Sequence, residues 1–121
     1  MAGFLIISKG TEFLRVPVGC LVYVASDGNY SKVFTADGAS TLVSFQLGQI
    51  EDLISSQQAG GGGTLIRVGK QLIINTDYVH RIDIAELEIV MSDCRSFSAT
   101  LSASRAALQA LREYLEKQQK Q

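Results

Sequence analysis

The chain is 121 residues long, 46% apolar, and nearly cancels its charge, with 11 Lys plus Arg against 12 Asp plus Glu. That length suits a single domain with a sizeable core. A net charge of -1 excludes a whole-protein field steering it to nucleic acid or membrane, so any basic site must be local. Two cysteines, Cys20 and Cys94, with no signal-peptide pattern suggest a reducing, cytoplasmic setting in which both thiols are free and at least half-buried. The apolar run at 4–7 is far too short for a signal core or a membrane span.

In chain order, Phe4 to Ser8 is a short strand turned by Lys9-Gly10-Thr11, and Glu12 to Val18 is the second, with Pro17 marking its end or a sheet edge. Cys20 to Ala25 is β-branched and apolar, as a buried strand should be. Asp27-Gly28-Asn29 predicts a hairpin turn into Tyr30 to Ala36, which puts Tyr30, Lys32 and Phe34 on one face and Ser31, Val33 and Thr35 on the other. Asp37-Gly38 predicts a second hairpin into Ser40 to Ser44. The period then changes: Leu47, Ile50, Leu53 and Ile54 form a helical stripe over about 46–56, with Ser44 as the expected N-cap.

The glycine-rich stretch around 59–63 reads as a flexible link. Leu65 to Asn75 is an apolar strand broken at Gly69-Lys70-Gln71, with Lys70 the polar intruder in the row Ile66, Val68, Leu72, Ile74. The glycines followed by Gly69-Lys70 invite a phosphate-loop reading, which fails. Thr64 stands where that pattern needs glycine, and Gln71 where it needs Ser or Thr. Further strands are expected at Tyr78 to Ile84, Leu87 to Met91 and Ser96 to Leu101. Ser104 caps a last helix over about 105–118, striped by Leu108, Leu111 and Leu115 and supported by Arg112–Glu116 and Glu113–Lys117 pairs. The expected fold is mainly β, with about ten short strands in small antiparallel sheets, one short central helix and a C-terminal helix.

No catalytic constellation stands out. His80 is the one histidine, neither cysteine has a zinc-like spacing, and Asp27 and Asp37 are explained by their turns. The expectation is a non-enzyme with no cofactor and no metal. What remains is a set of cations beside breaks in regular structure: Lys32 after the first hairpin, Arg67 and Lys70 around the strand break, and Arg105 at the last helix.

The order of elements and several local sequences resemble the LytTR family of bacterial DNA-binding domains, the output modules of many response regulators in two-component signalling. The residues that carry the likeness are 16–25 as an opening strand pair, Gly28-Asn29-Tyr30 as a loop and hairpin, and 47–53 as a short helix. The segment 66–75, IRVGKQLIIN, resembles the family signature, with Val79 and Ile82 following and 102–105, SASR, at the close. Against the signature, Gly69 replaces a histidine, Gln71 a serine and Leu72 an aromatic residue.

The resemblance implies loops, rather than a recognition helix, in two successive major grooves of promoter repeats, bound by two copies. It implies base-reading by Ser31 or Lys32, by Lys70 and by Arg105, since Lys and Arg donate to guanine O6 and N7. Arg67, Gln71 and Asn29 would position phosphates or shape the loops, and Arg67 has a purely structural alternative. The competing reading is a LytTR-like module that has lost DNA binding and contacts a sensor or receiver protein. The two part on one expectation: a DNA binder gathers Lys32, Lys70 and Arg105 on one face with few carboxylates.

Overall fold

Turn chemistry and alternation resolve into ten strands and two helices in the computed structural model, which describes residues 3–57 and 63–119. The strands are β1 (Phe4–Lys9), β2 (Glu12–Pro17), β3 (Leu21–Asp27), β4 (Tyr30–Thr35), β5 (Ser40–Val43), β6 (Leu65–Val68), β7 (Leu72–Asn75), β8 (Val79–Asp83), β9 (Glu88–Ser92) and β10 (Ser98–Ser102). Helix α1 spans Leu47–Gln57 and α2 spans Arg105–Gln119. All pairings are antiparallel, in a β1-β2 ribbon, a five-stranded sheet ordered β5-β4-β3-β7-β6, and a three-stranded sheet ordered β10-β9-β8. Of the glycine-rich link expected around 59–63, residues 59–62 lie outside the described residues.

The five-stranded sheet carries a core on each face. On one side Leu21, Val24, Val33 and Ile73 pack with Leu47, Ile50 and Ile54 of α1 and with Leu5, Ile7 and Val16 of the ribbon. On the other, Val22, Val68, Leu72 and Ile74 meet Ile89, Met91 and Leu101 of the three-stranded sheet and Leu108 and Leu111 of α2. All four residues of β7 are therefore buried. Each fully buried aliphatic side chain contributes roughly 1.5–3 kcal/mol, so this strand is where the two cores are joined. Asn75 ends it at 1% exposure, its Nδ2 donating to the Val18 and Leu21 carbonyls at 3.2 and 2.9 Å. Its Oδ1 accepts from the Asp77 N–H at 3.0 Å, capping a single 3-10 turn over Thr76–Tyr78.

Several boundaries differ from the sequence expectation. Ser44 does not cap α1. Gln46 holds the cap position, and the Gln49 side chain reaches back to accept from its N–H at 2.8 Å, which is half of a capping box. The second strand stops at Pro17, and Val18–Cys20 form a 3-10 turn that leaves Cys20 exposed; Cys94 is exposed too, so neither thiol is packed away. The last strand starts at Ser98 rather than Ser96, because Asp93 Oδ1 takes the N–H groups of Arg95, Ser96 and Phe97 at 2.9, 2.8 and 3.1 Å and withholds them from the ladder. The expected Arg112–Glu116 and Glu113–Lys117 pairs do not close; among the described residues the ion pairs are Arg67–Glu51 and Arg81–Asp83.

The ribbon is fastened to α1 from both ends of the helix. The Gln57 carboxamide fills one rung of the β1 edge, its Oε1 accepting from the Ile6 N–H at 2.8 Å and its Nε2 donating to the Ile6 carbonyl at 2.9 Å. Near the helix start, Lys9 Nζ donates to the Ser44 carbonyl at 2.9 Å and lies 5.1 Å from the Phe45 ring centre. Among the described residues no helix is long and apolar enough to cross a membrane.

Candidate nucleic-acid interface

Gly69 adopts φ +63°, which lets β6 return as β7 through the tight turn Gly69-Lys70-Gln71 and leaves Lys70 exposed at its tip. The turn is held on two sides. Arg67 Nη2 donates to the Lys70 carbonyl at 3.1 Å, and the Ser26 N–H donates to the Gln71 carbonyl at 2.9 Å. Ser26 Oγ also donates to Gln71 Oε1. These bonds seat the β6–β7 turn beside the end of β3, where Asp27, Gly28 and Asn29 make the β3–β4 turn. Asn29 is exposed, and its Oδ1 accepts from Gln46 Nε2 at 3.2 Å, which ties that turn to the start of α1.

The start of α2 closes the group. Ser104 Oγ accepts from the Ala107 N–H at 3.2 Å as an N-cap, and Arg105 is the exposed first helical residue. Ala107 Cβ lies 3.6 Å from where a Cβ on Gly69 would stand, so the helix start abuts the turn. Between them is an open cavity of about 650 Å³, with Val68, Lys70, Gln71, Leu72, Ala103 and Ala107 in its lining. Cross-strand register places Lys32 opposite Ala25, Ala25 opposite Leu72, and Leu72 opposite Val68. Directly paired residues share a sheet face, so exposed Lys32 stands on the face that bears this cavity.

The β6–β7 turn near 70 and the start of α2 near 105 thus meet, and Lys32 stands on the same sheet face two strands from β7. Lys32, Lys70 and Arg105 make no ion pair among the described residues, and the positive end of the α2 dipole adds to them. Asp27 is the exposed carboxylate in the adjoining turn. The other candidates are otherwise engaged. Ser31 is 0% exposed and its hydroxyl donates to the Phe45 carbonyl at 2.8 Å, so of the Ser31 or Lys32 alternative only Lys32 has a surface to offer. Arg67 is half-buried and binds Glu51 Oε1 through Nη1 at 2.7 Å, which answers to its structural alternative. Gln71 is exposed but is bonded to Ser26. Ser26, Gln46 and Glu51 are participants that strand alternation did not single out.

Away from this end, the exposed Cys94 thiol lies 3.7 Å from His80 Nδ1. Asp93 is held well below the usual carboxylate range by the Ser96 hydroxyl and then by the backbone N–H groups of its own loop. Among the described residues no group of three or more His, Cys, Asp and Glu side chains is placed to hold a metal ion.

The sequence profile of the LytTr DNA-binding domain family matches residues 11–116. Among solved structures the chain is similar to the LytTr DNA-binding domain of a Bacillus cereus protein described as a methyl-accepting/DNA response regulator. The TM-score is 0.63 over 93% of this chain and 95% of that one, at 14% identity; a likeness at that identity speaks for the fold alone. No curated protein matches the chain.

Proposed function

The chain belongs to the LytTR family of DNA-binding domains, and from that premise we propose that it is a sequence-specific transcriptional regulator acting on promoter DNA in the cytoplasm. The β6–β7 turn presents Lys70 to one base edge and the β10–α2 junction presents Arg105 to another, while Lys32 approaches from β4. Lys and Arg in the major groove read guanine O6 and N7. Asn29 and Gln71 shape the turns or contact phosphate. Two copies read paired repeats in successive grooves. The observation that carries this reading is that the β6–β7 turn abuts the start of α2 while Lys32 stands on the same sheet face, and that Lys32, Lys70 and Arg105 make no ion pair among the described residues. That arrangement is the local basic site that a chain of net charge -1 requires.

Selection from a random duplex pool at low salt tests it. The expected outcome is an enriched motif whose affinity falls steeply with salt, each phosphate contact adding about 0.9 to the log–log slope. An unenriched pool would turn the assignment to the second reading, a module that contacts a sensor or receiver protein. That reading draws support from the outer face of the ribbon, where Phe13 is 66% and Ile6 38% exposed.

A further inference from the structure

We infer that Glu51 and Arg67 act together as positioning residues for Lys70, so that base discrimination depends on a helix that carries none of the proposed DNA contacts. The inference rests on the DNA-reading proposed above. Arg67 pairs across the ladder with Ile73, whose side chain belongs to the α1 core, whereas Val68 and Leu72 face the cavity on the other side of the sheet. The guanidinium is therefore directed to α1 and away from the cavity face. There Glu51 takes Nη1 at 2.7 Å, and Nη2 returns to the Lys70 carbonyl at 3.1 Å. One planar fork thus fixes the backbone of the residue at the turn tip to a rigid helix, a geometry that a single ammonium cannot reproduce.

The anchor is itself well placed. Helix α1 is tied to the β3–β4 turn through Gln46–Asn29 and to the ribbon through Gln57–Ile6. Glu51 consequently holds the Lys70 turn in a fixed relation to the other turn of the proposed interface. On the opposite side, Ser26 holds Gln71. Releasing the Arg67 side leaves a turn built on a positive-φ glycine free to tilt, and a donor that must meet a base edge within about half an ångström loses its aim. Affinity for phosphate tolerates that tilt; base choice does not.

The test compares the intact protein's affinity for its selected duplex and for a scrambled duplex at one salt concentration, together with the salt slope and thermal midpoint. Glu51→Ala removes a half-exposed carboxylate and should lower the ratio of the two affinities about tenfold, with midpoint and slope unchanged. The change in net charge acts on both duplexes and cancels in the ratio. Glu51→Gln, which retains the acceptor, should restore discrimination, and Arg67→Lys should lose it like Glu51→Ala. In a Lys70→Ala background, Glu51→Ala should have no further effect. A direct phosphate role for Arg67 predicts the opposite: Arg67→Lys near wild type, and Arg67→Ala shallower by about 0.9 in slope. That result, or additive Glu51 and Lys70 effects, overturns the inference. Equal wild-type affinity for both duplexes defeats the regulator reading along with it, whereas wild-type discrimination untouched by Glu51→Ala defeats this inference alone.

Discussion

Neighbouring residues on one strand can have opposite fates, and Ser31 and Lys32 show why. The alternation Tyr30-Ser31-Lys32-Val33 separates two faces but does not say which is covered, because the sheet carries a core on both sides. The structure buries Ser31 with Val33 and leaves Lys32 outside. Two predictions separate these roles. Ser31→Ala strands the Phe45 carbonyl and should cost about 1 kcal/mol in denaturant unfolding, with the selected DNA motif unchanged in the folded protein. Lys70→Ala and Arg105→Ala should leave unfolding alone, cost roughly 1–3 kcal/mol of specific binding, and loosen base preference where each side chain reads. A uniform loss on every duplex would demote either residue to a phosphate contact. Arg67 was not resolvable in this way from sequence. Its partner Glu51 is 16 positions upstream on another element, and only the passage of α1 over the sheet brings them together.

At the scale of the element, what could be read from sequence was what is local. The Asp-Gly-Asn hairpin, the break at Gly69 and the Ser104 cap each rest on contacts a few residues apart, and all three stand in the structure. Boundaries failed where a side chain captured backbone groups from nearby: the cap expected at Ser44 sits at Gln46, whose N–H the Gln49 side chain takes, and Asp93 delayed β10. The exposure of Cys20 escaped alternation because the residue lies in a 3-10 turn rather than a strand. Ser104→Ala should destabilise the start of α2 by about 1 kcal/mol and weaken DNA binding through the displacement of Arg105. Circular dichroism and binding titrations on one preparation check both effects.

The Asp93 loop gives a pH signature. Its folded carboxyl titrates below the unfolded value near 3.8, so the stabilisation is complete above that value and is lost as pH falls through the lower, folded one. Asp93→Asn, which cannot titrate, should therefore melt below wild type at neutral pH, with the gap beginning to close only as pH falls below about 4. A constant gap across that range would disprove the linkage.

At the scale of the whole molecule, mainly β composition and the order of elements were legible, whereas the assembly of three sheets around one strand was not. Strand order depends on pairings between distant segments, such as β3 with β7, which no local pattern announces. The same long-range pairing helps make the interface, since it sets the turns near 28 and 70 side by side. The double burial of β7 has a consequence for how the protein opens. Ile73 belongs to one core and Ile74 to the other, so neither layer can melt while the other stays intact. The amides of these two residues should exchange with deuterium only through global unfolding, at one common free energy. The turn amides around Lys70 should exchange by local fluctuation. Three separate sheets would then open as a single cooperative unit, while the turn proposed to meet DNA moves on its own.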